Sequence, residues 1–230
     1  MGAGDDWRTL VAAVPPYPRA DVGAVDPGTL PSASVELVMH GEILLGRWRP
    51  FRARQVIAPG LGFVWSAVVG RLPMRITGHD RYIYGAGDMR WRLLGAIPVM
   101  SASGDDVTRS AAGRLAGESV LCPSALAAPG VPWRGLDDRR ATATLIVDDL
   151  ATDVTITVGD DGRLLEVTFP RWGDPDGEGF RQGVFRVVCD AERRFGAHTI
   201  TSRFRAGWGD ADAWTDEESF RAEIDSAVFR

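Results

Sequence analysis

At 230 residues, 45% of them hydrophobic and 25% charged, the chain has the composition of an ordinary globular protein and enough length to bury a real core. Its net charge of −5, from 26 basic and 31 acidic residues, lacks the basic excess of a nucleic-acid binder. All 26 basic residues are Arg, which fits GC-rich coding of the actinobacterial kind. The absence of Lys excludes a Lys Schiff base, a phosphate-loop Lys and a Ser–Lys dyad.

Asp5 and Asp6 are placed to cap a short helix in which Trp7, Leu10, Val11 and Val14 repeat at helical spacing, and Pro15-Pro16-Tyr17-Pro18 stops it. A Pro-, Gly- and Asp-rich stretch follows as far as Pro31. Residues 1–34 therefore read as an N-terminal helix and arm, and residues 35–230 as one domain. No basic segment leads into an apolar one near the N-terminus, no lipobox Cys is present, and no apolar run approaches the roughly 18 residues of a membrane span. Cys122 and Cys189 are the only cysteines and read as buried, reduced thiols. A soluble, cytoplasmic protein is expected.

The domain reads as strand after strand: Val35–Leu45, Gly46–Phe51, Phe63–Val69, Met74–Thr77, Arg81–Tyr84, and Met89–Leu94 beyond a Gly85-Ala86-Gly87 turn. In Met89-Arg90-Trp91-Arg92-Leu93 apolar residues alternate with Arg, so one face packs and the other is solvated. One strong 3.6-residue pattern interrupts the strands. Between Asp105 and Leu126, the residues Val107, Ala111, Leu115 and Cys122 share a helical stripe. Strands resume at Ala141–Val147, Val154–Val158 and, past the Gly159-Asp160-Asp161-Gly162 turn, Arg163–Phe169. Phe180–Cys189, His198–Arg205 and Phe220–Phe229 complete the sheet, the last with Phe220, Ala222, Ile224 and Val228 on one face. Short connections make these about ten strands mostly antiparallel, and an open sheet of that size curls or closes. The expected fold is α+β and mainly β: a curled antiparallel barrel or half-barrel around one long helix, with a ligand cavity inside.

Arg114 and Glu118 fall within the apolar stripe of that helix. An acid facing the core must be paired, hydrogen-bonded or protonated. The two residues are either a structural i, i+4 brace or an acid that faces ligand. His79-Asp80 follows Gly78 at an expected strand end. Neighbours on a strand point to opposite faces, so these two form no dyad, but either can reach Glu118 or a ligand. Glu118 and His79 are the catalytic candidates. Trp65, Met74, Tyr82, Tyr84, Trp91, Arg114, Cys122, Phe169 and Phe185 are the candidate binding residues, drawn from a face that core and cavity share. His40, His79 and His198 share no ligand spacing, so no metal is expected. Gly85-Ala86-Gly87-Asp88-Met89-Arg90 begins like a dinucleotide fingerprint but joins two strands, and Gly117-Glu118-Ser119 begins like a nucleophile elbow but lies inside a helix. No cofactor and no Ser nucleophile are expected.

Taken in order, several segments resemble an uncharacterised bacterial domain-of-unknown-function family, from Val35 to the C-terminus. They are Pro59-Gly60-Leu61-Gly62-Phe63-Val64-Trp65, Gly78-His79-Asp80-Arg81-Tyr82 with Gly85-Ala86-Gly87-Asp88-Met89, and Arg114-Leu115-Ala116-Gly117-Glu118 with Pro123-Ser124-Ala125-Leu126. Trp133 with Asp137-Asp138, and Asp161-Gly162-Arg163-Leu164, follow. The resemblance implies a curled antiparallel sheet similar to bacterial lipid-carrier half-barrels, with no established activity. Against that pattern Cys122 stands where an aromatic residue is expected, which would enlarge a pocket beside Glu118. By fold-level analogy alone, small barrels also serve as cofactor-free cyclases of polyketide-like intermediates.

Two functions follow, each with a hydrophobic small molecule as partner. In the first, a cofactor-independent cyclase or isomerase folds a hydrophobic natural-product intermediate, with Glu118 as acid/base. In the second, a non-catalytic carrier or sensor holds a lipid-like molecule, Arg114 or Arg186 meets a carboxylate head group, and Glu118 is structural. A polar pair on the inner stripe of the helix tips the expectation toward the enzyme.

Overall fold

The alternating runs form one antiparallel sheet in the computed structural model, which describes residues 34–209 and 218–230. The expected N-terminal helix and the arm up to residue 33 lie outside the described residues. The first six strands are β1 (Val35–Leu45), β2 (Arg47–Ala58), β3 (Gly62–Val69), β4 (Ile76–Ile83), β5 (Ala86–Leu93) and β6 (Ile97–Ser103). A helical segment follows, then β7 (Trp133–Gly135), β8 (Arg140–Val147), β9 (Leu150–Val158), β10 (Leu164–Gly173), β11 (Arg181–Phe195), β12 (His198–Trp208) and β13 (Glu218–Phe229). Their order in the sheet is β6-β5-β4-β3-β2-β1-β13-β12-β11-β10-β9-β8-β7. Two meanders are thus joined at the centre, where the first strand pairs with the last.

The thirteen strands exceed the expected ten or so, for local reasons. β6 is exposed along almost its whole length at a sheet edge, so its sequence shows no alternation. β7 is only three residues long. Gly78 does not end a strand. It lies within β4, where a Cβ would run into the Trp91 ring, so the glycine lets the neighbouring indole lie across the backbone. β11 continues past Cys189 through the charged run to Phe195, with register shifts on either side of Ala191. In β13, Val38 pairs with Ser226 but Met39 with Ile224, leaving Asp225 as an extra residue. Parity therefore flips, and Val228 is exposed instead of sharing a face with Phe220, Ala222 and Ile224.

The helical stripe is realised as α1 (Asp105–Glu118), a 3-10 turn at Ser119–Leu121, and α2 (Pro123–Leu126). The single long helix expected to Leu126 is instead a 14-residue helix with one tight turn added, broken ahead of Pro123. Proline lacks the N–H and clashes with a preceding helical turn. Asp105 and Asp106 occupy the first turn of α1, where the helix dipole favours acids. This segment connects β6 to β7, the two edges of the sheet. Laid flat, thirteen strands would hold those edges about 58 Å apart, whereas α1 spans only about 21 Å. Curling brings the edges within reach. α1 packs on β5 from one half and on β8, β9 and β10 from the other.

Two glycines permit that docking. A Cβ on Gly87 would meet the helix backbone at Thr108 at 2.8 Å, and one on Gly117 would overlap the Phe169 ring. Tyr82 in β4 also donates its hydroxyl to Asp148, in the turn between β8 and β9, which ties the two halves directly. Leu37, Ile57, Leu115, Ile156 and Ile200 lie at or near zero exposure on the inner side, each contributing about 1.5–3 kcal/mol of burial.

Candidate functional site

A cavity of about 280 Å3 lies between α1 and the concave face of the sheet. Inward parity on successive strands supplies an apolar wall: Met39 and Ile43 from β1, Trp65 from β3, Phe169 from β10, Phe185 and Val187 from β11, Phe204 from β12 and Phe220 from β13. The rings are in mutual contact. Phe220 stacks on Phe51 at 4.9 Å between centroids, and Phe185 meets Phe169 at 5.5 Å and Trp208 at 5.4 Å. Cys189 also lines the wall, and burial pushes its thiol up to about 12, which makes it a poor nucleophile.

A polar network closes one side of this space. Arg114 donates from Nε to Glu118 Oε1 at 2.7 Å and from a terminal nitrogen to Asp80 Oδ2 at 3.2 Å. Gln55, almost fully buried in β2, donates from Nε2 to the other Glu118 oxygen at 2.6 Å. Trp91 Nε1 donates to Asp80 Oδ1 at 2.9 Å. The Arg114 guanidinium lies 4.5 Å from the centroid of Phe63. Burial pulls its pKa down, but the Glu118 and Asp80 carboxylates outweigh that and the net shift is upward. The i, i+4 pair is real and is part of a larger assembly.

Arg171 stands apart from this network. On β10 it continues the inward parity of Val167 and Phe169 and lines the cavity. Its guanidinium lies 4.8 Å from the Phe185 ring centroid and 5.4 Å from that of Trp208, and its buried Nε has no hydrogen-bond partner. Burial first, then repulsion from Arg114, draws its pKa down to about 10, against the pull of Glu118 and Asp80.

Of the residues proposed from sequence, Glu118, Trp65, Arg114, Phe169 and Phe185 meet at the cavity. The others do not. His79 takes the opposite face of β4 from Asp80, and its Nε2 lies 3.3 Å from Asp88 Oδ1. Met74 is exposed in the loop before β4. Tyr84 is 98% exposed at the tip of a β4–β5 turn whose two central residues, Tyr84 and Gly85, both have positive φ. Tyr82 is buried but spent on Asp148, and Trp91 sits behind Asp80. Cys122 is buried and is not among the residues that line the cavity. Arg186 faces away from Phe185 and donates to Glu166, with Nε at 2.8 Å. Ser119 donates its hydroxyl to the Leu115 carbonyl within the helix. Gln55 and Arg171 are among the lining residues that sequence reading passed over. Extending the alternation Phe51, Ala53, Gln55, Ile57 and Val167, Phe169, Arg171 would have found both.

Among the described residues no group of three or more His, Cys, Asp or Glu is placed to hold a metal, and no helix is long and apolar enough to cross a membrane. The model of a family of unknown function, DUF6544, matches residues 22–216. No curated protein matches the chain. Among solved structures, a LolA superfamily protein from Nitrosomonas europaea is similar at 9% identity and a TM-score of 0.44, over 100% of this chain and 94% of that one. A DUF1329 family protein from Desulfovibrio piger is similar at 11% identity and a TM-score of 0.40, over 86% of each chain.

Proposed function

The chain belongs to the DUF6544 family, and we propose that it holds a hydrophobic small molecule in the cavity without transforming it, as a carrier or sensor. The observation behind this is an apolar, ring-lined cavity whose two carboxylates, Asp80 and Glu118, are both bonded to Arg114. A general acid or base needs a carboxyl group set toward the reacting atom. Here one Glu118 oxygen faces Arg114 and the other faces Gln55, the arrangement of a brace between α1 and the sheet. The geometry thus favours the carrier over the cyclase or isomerase, and His79 offers no replacement base at the cavity. A cytoplasmic setting remains part of the proposal. It is supported by Cys122 and Cys189, both buried and joined by no disulfide.

The test is titration of the purified protein with the apolar fluorophore N-phenylnaphthylamine. Saturable uptake of one molecule per chain is expected. Val187→Trp, which fills the wall, should abolish uptake while leaving the circular dichroism spectrum unchanged. Non-saturable uptake, or uptake indifferent to the filled cavity, would overturn the proposal.

A further inference from the structure

We propose that the molecule held in the cavity is a single-chain amphiphile with an anionic head group, carboxylate or phosphate, received by Arg171. This rests on the binding reading above and adds the ligand's chemistry. Three other arginines of low exposure have carboxylate partners: Arg114 spans Asp80 and Glu118, Arg186 pairs with Glu166, and Arg205 with Asp190 at 3.1 Å. Arg171 has no carboxylate within ion-pair distance among the described residues, and its Nε–H is buried with nothing to accept it. A guanidinium offers five N–H donors and no acceptor, so an unmet one in a cavity wall presents a fork that fits two anionic oxygens.

The rings of Phe185 and Trp208 hold the guanidinium by cation–π attraction. Met39, Val187, Phe204 and Phe220, elsewhere in the wall, are apolar side chains that suit an alkyl chain. At neutral pH the group stays charged, since its pKa falls only to about 10. The competing account is that Arg171 acts through space as counter-ion to the Asp80–Arg114–Glu118 group, which carries one excess negative charge. The two accounts predict opposite effects of removing the charge. A counter-ion's loss destabilises the protein, whereas replacing an unpaired buried charge by an apolar side chain of similar length stabilises it.

The experiment displaces N-phenylnaphthylamine from the full chain with dodecanoate, dodecyl phosphate or dodecanol, in the parent and in Arg171→Met. In the parent at least one anion should compete about tenfold or more better than dodecanol, the increment of a hydrogen bond to a charged group. Whether dodecanoate or dodecyl phosphate wins identifies the head group. Arg171→Met should erase that preference, lower anion affinity far more than it alters dodecanol affinity, and raise the melting temperature of the ligand-free protein. Dodecanol equal to both anions, or a lower melting temperature for the variant, overturns the head-group assignment and leaves the cavity reading standing. Failure of all three to compete removes both.

Discussion

Glu118 accepts one hydrogen bond on each oxygen, from Arg114 and Gln55, and Arg114 turns to Asp80 with its other donors. Replacing Glu118 by Gln keeps the shape, and Gln55 can flip its amide to accept in place of donating. What is lost is charge. Asp80 still partners Arg114, so the expected cost is about 1–2 kcal/mol, less than the 3–5 kcal/mol of a fully stranded buried charge. Adding Asp80→Asn removes the last carboxylate, and the double variant should lose more than the sum of the singles by over roughly 0.5 kcal/mol. Urea unfolding of the four proteins measures this, and additive losses would rule out a shared partner. The helical spacing of Arg114 and Glu118 was enough to read the pair from sequence. Asp80 and Gln55 come from distant strands, and no local pattern announces which strands will face one helix. Arg171 and Arg186 differ by face alone. Parity counted outward from Phe169 and Phe185 separates them, because one residue along a strand exchanges cavity for exterior.

The helix α1 shows how much an element depends on the surface beneath it. Gly113 and Gly117 are both buried positions of the same helix, where Ala is intrinsically better than Gly by about 0.5–1 kcal/mol. A Cβ at Gly113 would make ordinary contact with Arg171 at 4.0 Å, whereas one at Gly117 would overlap the Phe169 ring. Gly113→Ala is therefore expected to raise the melting temperature. Gly117→Ala must push Phe169 into the cavity and should weaken N-phenylnaphthylamine binding by about tenfold, the equivalent of some 1.4 kcal/mol. Equal behaviour of the two variants would contradict this docking. Strand limits follow the same logic of environment. In β1 the packed face of the first half gives alternation that marks its start, and Gly46 marks its end. Where charge runs on past a bulge, as in β11, or an edge strand has no packed face, as in β6, the pattern carries no signal although the ladder hydrogen bonds continue.

At the scale of the whole molecule, the contacts that join strands β1 to β6 with β7 to β13 include the β1–β13 ladder, the docking of α1 and the Tyr82–Asp148 hydrogen bond. The last of these titrates. Burial first, then the hydrogen bond to Asp148 and its charge, raises the Tyr82 phenol from 10.0 to about 12. A group whose pKa is higher folded than unfolded lends its full stability below the unfolded value and loses it as pH rises through the folded one. The Tyr82 contribution is thus whole up to about pH 10 and gone past about 12. Burial also raises the Cys122 and Cys189 thiols, to about 11 and about 12, so overall stability falls across the same alkaline range. Both thiols are present in parent and Tyr82→Phe alike, and their effect cancels in the difference between the two. At neutral pH Tyr82→Phe should unfold at lower urea than the parent, for want of the bond that joins the halves. Between pH 10 and 12 that gap should close, because the parent loses the same bond when the phenolate forms beside the Asp148 carboxylate. A gap that persists unchanged past pH 12 would show that the hydroxyl does not titrate with folding, and no gap at neutral pH would show that this contact does not hold the curl together.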